Sequence, residues 1–116
     1  MAEEMEKAFA AVDEALEERL MERGYRVTKR EHHPQMAGTR FTVYTGPKGQ
    51  IRFTWDGQKR ALILRVYRKR NPVMRVLASL LGSLDLDKLQ REVILQGHQA
   101  RMLSEEELVE TFVKII

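Results

Sequence analysis

The chain has 116 residues, of which 43% are hydrophobic, and it carries 20 basic and 17 acidic side chains and no Cys. This length predicts one domain spanning 1–116, and the hydrophobic fraction argues against disorder over the whole chain. The missing cysteines exclude disulfides, thiolate catalysis and cysteine-ligated zinc. Residues 1–6 are acidic, unlike a secretory signal, so we expect a cytoplasmic protein without a membrane span. Thirteen Arg against one Asn favour a thermophilic source.

The charge is distributed unevenly along the chain. Residues 24–71 carry twelve basic and two acidic side chains, a net charge of +10, whereas residues 1–23 carry −5 and residues 72–116 carry −2. The basic segment is also the part in which hydrophobic residues alternate with a period of two. We therefore expect a basic β-sheet between acidic helices.

An amphipathic helix is predicted over residues 2–23. Its apolar residues recur at spacings of three and four and form one stripe, which consists of Met5, Phe9, Val12, Leu16 and Leu20. Gly24 suits a left-handed helix cap, after which Tyr25 can fold back onto the last turn.

A four-stranded antiparallel meander is predicted over 25–69, with strands at about 25–31, 40–45, 50–55 and 60–69. The Gly-Pro-Lys-Gly sequence at 46–49 predicts a three-residue hairpin loop with a G1 bulge, which pairs Thr45 with Ile51 and Val43 with Phe53. The Asp-Gly sequence at 56–57 predicts a tight hairpin, and a four-residue loop there would place the same residues on each face.

These turns assign side chains to faces, because opposed residues on neighbouring strands point to the same side. The predicted core face contains Val27, Phe41, Val43, Ile51, Phe53, Trp55, Leu62, Leu64 and Val66. The predicted outer face contains Arg26, Thr28, Arg30, Arg40, Thr42, Tyr44, Arg52, Thr54, Lys59, Ala61, Ile63, Arg65 and Tyr67. The expected fold is α+β, a four-stranded meander covered by the N-terminal helix and two to three C-terminal helices.

Three helices are predicted after the sheet. Asn71 and Pro72 suit the start of a helix over about 72–81. A second helix is predicted over about 85–96, with apolar residues Leu86, Leu89, Val93 and Ile94. Ser104 and Glu107 have capping-box spacing, which predicts a last helix over about 105–114.

The predicted outer face is the first candidate binding surface. It groups five arginines with two aromatic residues, namely Arg26, Arg30, Arg40, Tyr44, Arg52, Arg65 and Tyr67. Arginine binds phosphate with two hydrogen bonds, and aromatic side chains on a sheet can stack on unpaired bases. This pattern indicates a nucleic-acid-binding face. Two alternatives are a solvated face and a face whose arginines pair with acidic helices.

The helix predicted over 72–81 is the second candidate surface. It is apolar on most sides, with Val73, Val76, Leu77, Leu80 and Leu81 as the candidate contact residues. Such a helix packs in the core or binds a partner. Our first hypothesis for function is a non-enzymatic binding or adaptor protein that forms a homodimer or binds another protein, and nucleic-acid binding is the alternative.

No catalytic, cofactor or metal site is predicted. His32 and His33 are adjacent, so on a strand they point to opposite faces and cannot share a metal. The hairpin glycines are not followed by a helix and do not form a phosphate loop. An enzyme would need a pocket lined by Glu31, His32 and His33.

Overall fold

The computed structural model describes residues 2–69 and 87–116. In these residues the chain forms α1 (Ala2–Met21), β1 (Arg26–His33), a 3-10 turn (Pro34–Met36), β2 (Thr39–Gly46), β3 (Gly49–Asp56), β4 (Ala61–Lys69), β5 (Asp87–Gln96), α2 (Gly97–Arg101) and α3 (Glu105–Val113). The five described strands form one antiparallel sheet in chain order. The α+β class with an antiparallel sheet is confirmed.

Helix α1 covers one face of the sheet with its predicted apolar stripe, every residue of which is at most 4% exposed. The helix is closed by Gly24, whose φ is +86°. The amide of Tyr25 donates to Leu20 O at 2.9 Å, and the amide of Gly24 donates to Met21 O at 3.1 Å. This hydrogen-bond pair is a Schellman motif, which redirects the chain into β1 and packs Tyr25 against the core.

The core lies between the sheet and helices α1 and α3. Phe9 of α1 stacks on Phe53 of β3 with ring centroids 4.8 Å apart, and Phe112 of α3 meets the same ring edge-on at 5.1 Å. Ala100 of α2 belongs to the same cluster. The three described helices therefore contribute to one face, which we call the helix face.

The capping box predicted for the last helix is confirmed. The Ser104 hydroxyl accepts from the amide of Glu107 at 3.2 Å, and the Glu107 carboxylate accepts from the amide of Ser104 at 3.3 Å. Two orphan amides at the start of α3 are thereby satisfied. The helix predicted over 72–81 lies outside the described residues.

The helix predicted over 85–96 is wrong, because residues 87–96 form strand β5. Val93 and Leu95 pack against the core, whereas Ile94 between them is exposed, as strand alternation requires. The spacing of Leu89, Val93 and Ile94 fits a helix as well as a strand. Residues 87–96 form a strand because β4 offers an edge with which all of β5 pairs. The predicted four-stranded sheet is thus extended to five strands.

The predicted register between β2 and β3 is wrong by one residue. The hairpin is a two-residue turn closed by Gly46 opposite Gly49, so Tyr44 lies opposite Ile51 and Val43 opposite Arg52. A one-residue shift reverses both faces of a strand. Phe41 and Val43, predicted for the core face, therefore lie on the outer face. Four residues predicted for β1 and β2 on the outer face lie on the helix face instead, namely Arg30, Arg40, Thr42 and Tyr44.

The faces of β3 and β4 are as predicted. The loop between them has four residues, and Trp55 lies opposite Leu62 while Ile51 lies opposite Val66. The tight hairpin predicted at Asp56-Gly57 is therefore wrong, and the loop is the four-residue alternative, which places the same residues on each face. Ile51, Phe53, Trp55, Leu62 and Leu64 are all buried on the helix face.

Candidate functional site

The outer face of the sheet carries a cationic surface that crosses four strands. We call it the basic face and define it by Arg26, Lys29, Arg52, Arg65 and Tyr67. Lys29, Arg52 and Arg65 lie in one cross-strand row, and Arg26 and Tyr67 lie in the adjacent row. Lys29 was not among the predicted site residues. A β-bulge between Val27 and Lys29 brings it to this face.

Arg52 and Arg65 lie directly opposite each other at the centre of the basic face. Like charges in this position repel, so each guanidinium needs a compensating contact. Arg52 lies over the ring of Tyr67 at 5.0 Å from the centroid. Arg65 Nε donates to Glu92 Oε2 at 3.3 Å. The two contacts hold both cations side by side, where they can act together on one anion.

A mixed polar and aromatic cluster borders the basic face. His33 stacks on Phe41 with centroids 5.8 Å apart and lies 3.0 Å from Glu31 Oε2. Lys29 contacts the other members, lying 5.7 Å from the Phe41 centroid and 3.6 Å from Glu31. His32 points to the helix face, so the two histidines lie on opposite sides as expected.

Arg30, predicted for the basic face, belongs instead to a partly buried polar network with helix α1. Asp13 of α1 is its centre, and its Oδ2 accepts from Arg30 Nε at 3.1 Å and from the Thr42 hydroxyl at 3.0 Å. The hydroxyl of Tyr44 donates to Asp13 Oδ1 and lies 3.0 Å from its backbone oxygen. Glu17 adds a second carboxylate 3.3 Å from Arg30. Acidic α1 thus neutralises this arginine.

Burial and charge shift the pKa values of two groups in this network. Burial raises the pKa of Tyr44 well above its usual value, and the hydrogen bond to Asp13 adds to the rise. Burial lowers the pKa of Arg30, but the attraction of Asp13 and Glu17 outweighs that effect and the net shift is upward. The tyrosine is therefore a fixed neutral donor and the arginine a fixed cation.

Arg40, also predicted for the basic face, lies at the rim of a cleft between α1 and strands β1 and β2. Its Nη2 pairs with Glu6 Oε1 at 3.3 Å, while its Nε is buried without a hydrogen-bond partner. The cleft has a volume of about 440 Å³, and its wall includes Asp13, Glu31 and His32. Arg30 and Arg40 in this cleft already pair with carboxylates of α1. The basic face is therefore the better site for an external anion.

The structure thus brings together four of the seven predicted site residues and separates the other three. Arg26, Arg52, Arg65 and Tyr67 share the basic face, whereas Arg30, Arg40 and Tyr44 face helix α1. One sequence signal for this separation exists, because Asp13 lies three or four residues from Phe9 and Leu16, within the apolar stripe of α1. A carboxylate in that position requires buried donors on the opposing strands.

The predicted contact residues Val73, Val76, Leu77, Leu80 and Leu81 lie outside the described residues. Within 2–69 and 87–116, no three His, Asp or Glu side chains come close enough to hold a metal ion. None of the helices in those ranges has the length and hydropathy needed to cross a bilayer. Comparison of the chain with protein-family models, curated proteins and solved structures finds no match.

Proposed function

We propose that this protein is a non-enzymatic binding protein that holds single-stranded nucleic acid on the basic face of its sheet. The observation that carries the proposal is the cross-strand pair Arg52 and Arg65 beside Tyr67. Opposed residues on adjacent strands have Cβ atoms ~5 Å apart. Both guanidiniums can therefore contact the same phosphate group or two neighbouring ones.

The charge balance of the basic face supports an anionic ligand. Its four cations are accompanied, among the described residues of this face, by the carboxylates Glu31 and Glu92. The acidic helix α1 pairs with Arg30 and Arg40 on the helix face and so leaves the basic face cationic. Excess positive charge of this kind attracts phosphate backbones.

The aromatic content of the face favours a single strand over a duplex. Tyr67 is half-buried and lies beside the guanidinium of Arg52, so the face offers an aromatic ring and a cation together. Unpaired bases stack on such side chains with little dependence on sequence. A duplex would offer the face its phosphates alone.

Binding of a mixed-sequence single-stranded oligonucleotide, followed by fluorescence anisotropy, tests the proposal. Affinity should fall steeply between about 50 mM and about 200 mM salt, and Arg52→Gln and Arg65→Gln should each reduce the slope of log K against log salt by about 0.7. Arg101→Gln is the matched control, since it removes the same charge from an exposed position on α2. A protein that retains no oligonucleotide at low salt, or an Arg101→Gln variant as weak as Arg52→Gln, contradicts the proposal.

A second candidate function is self-association or the binding of a protein partner. Leu89 and Ile94 of β5 are 45% and 47% exposed, and β5 is an edge of the described sheet. Exposed apolar residues on an edge strand favour pairing with another chain. Light scattering over a concentration series should show a dimer that Ile94→Lys dissociates and that Met102→Lys on α2's flank leaves intact. A clean monomer at high concentration contradicts this candidate.

A further inference from the structure

A second concave surface lies at the end of the sheet where the β2–β3 turn approaches strand β5. We call it the hairpin-end cleft; it has a volume of about 550 Å³. Its charged and amide side chains are Lys48, Arg68, Gln90 and Arg91, and Tyr67 of the basic face also lines it. The described residues contribute no Asp or Glu side chain to it. The charged side chains of the cleft are therefore all cationic, and its volume lies in the range of ordinary small-ligand sites.

A bulge in β5 lies in the wall of this cleft. Val66 lies opposite Arg91 and Tyr67 lies opposite Leu89, so Gln90 has no partner in the ladder. Bulges redirect side chains and recur next to functional sites. The side chain of Arg91 is fixed at the rim, since its Nη1 donates to the backbone oxygen of Ile115 at 3.2 Å.

The cleft combines its cations with an apolar and aromatic wall. Ile51 is buried and Val66 half-buried at its base, and the ring of Tyr25 forms one side. Tyr25 is held tightly, because a Cβ added at Gly46 would lie 2.5 Å from its ring. A ligand suited to this lining has a phosphate for the cations and a planar ring for Tyr25.

We propose that the hairpin-end cleft binds one nucleotide unit, with its phosphate between Lys48, Arg68 and Arg91 and its base against Tyr25 and the apolar base of the cleft. A free mononucleotide and the phosphorylated end of a strand share this chemistry. The proposal goes beyond the function assigned to the basic face, because the cleft is formed by different cations.

Calorimetric titration with AMP, adenosine and inorganic phosphate tests the cleft directly. AMP should bind more tightly than adenosine or phosphate, and Lys48→Gln and Arg68→Gln should each weaken AMP binding about tenfold. Lys29→Gln, on the basic face and outside the cleft lining, should change it less than about twofold. AMP binding no tighter than adenosine binding, or binding unchanged in both cleft variants, overturns the proposal.

A short oligonucleotide with a 5′-phosphate distinguishes the two sources of the ligand. If it binds more tightly than AMP and loses affinity in Lys48→Gln, the cleft holds a strand end. If AMP binds more tightly, the ligand is a free nucleotide. If the protein binds AMP but no oligonucleotide, the function proposed for the basic face is contradicted and the cleft proposal is not. The failures of the two proposals are therefore distinguishable.

Discussion

Replacing Asp13 by Ala should destabilise the protein more than removal of any other α1 carboxylate named above. The Asp13 side chain is 9% exposed, and it accepts from Thr42 and Tyr44, which are themselves buried. A buried donor that loses its acceptor costs about 1–3 kcal/mol. The Thr42 hydroxyl bears this cost fully, whereas Tyr44 keeps the backbone oxygen of residue 13 at 3.0 Å.

The ion pair with Arg30 adds less, because that side chain is 47% exposed and retains Glu17. A pair of this exposure contributes at most about 1 kcal/mol. The better helix propensity of Ala offsets about 0.5 kcal/mol. The expected net loss is therefore about 2 kcal/mol, a large part of a typical stability of about 5–15 kcal/mol.

Urea unfolding followed by the fluorescence of buried Trp55, the single Trp of the chain, measures this loss. With an m-value of about 2 kcal/mol/M, the midpoint of Asp13→Ala should fall by about 1 M. Glu17→Ala is the matched control, and its expected loss is below about 1 kcal/mol because Glu17 is 37% exposed. Equal, small losses in the two variants would refute the reasoning that the network is a buried one.

Three further predictions concern the same framework. Because the pKa of buried Tyr44 is raised, the stability that this group confers is fully present below about pH 10 and falls above it by up to about 1.4 kcal/mol per pH unit. Tyr44→Phe should reduce this fall in the free energy of unfolding at alkaline pH, measured by urea titrations. An unchanged fall would contradict the assignment to Tyr44. Gly49→Ala should lower the free energy of unfolding by at least about 3 kcal/mol, because φ is +146° and a Cβ would lie 2.0 Å from Tyr67 O. Gly38→Ala, at φ +77° in open space, should lower it by about 1 kcal/mol. Equal urea midpoints for the two variants would contradict this prediction. Ser104→Ala removes the cap of α3 and should lower the free energy of unfolding by about 1 kcal/mol, measured by thermal unfolding. An unchanged melting temperature would contradict a stabilising capping box.

Much of the secondary structure and the charge pattern follow from local sequence. The stripe of α1, its Gly24 cap, the first four strands and the Ser104 capping box are all short-range patterns, and the structure confirms each of them. The concentration of basic residues in 24–71 is likewise a property of the sequence alone. It predicts that a basic sheet exists, but not which arginines share a face.

The tertiary structure decided two features that the local sequence did not, namely the register of β2 and the conformation of residues 87–96. The register of β2 places Thr42 and Tyr44 on the helix face, where both donate to the buried carboxylate of Asp13, and places Phe41 and Val43 on the outer face. A prediction from hydrophobic alternation gives the opposite register, because it places apolar residues in the core. It takes no account of a polar partner that is distant in the chain.

The second feature is the conformation of β5, whose residues suit a helix or a strand by local spacing. The exposed edge of β4 decided between them, because a partner strand satisfies backbone groups along that edge. By itself, then, the sequence determined the α+β class, most of the elements and a basic segment between two acidic ones. Only the tertiary structure decided that α1 neutralises Arg30 and Arg40 while Arg52 and Arg65 remain together on the outer face, because strand register and pairing depend on contacts between residues far apart in the chain.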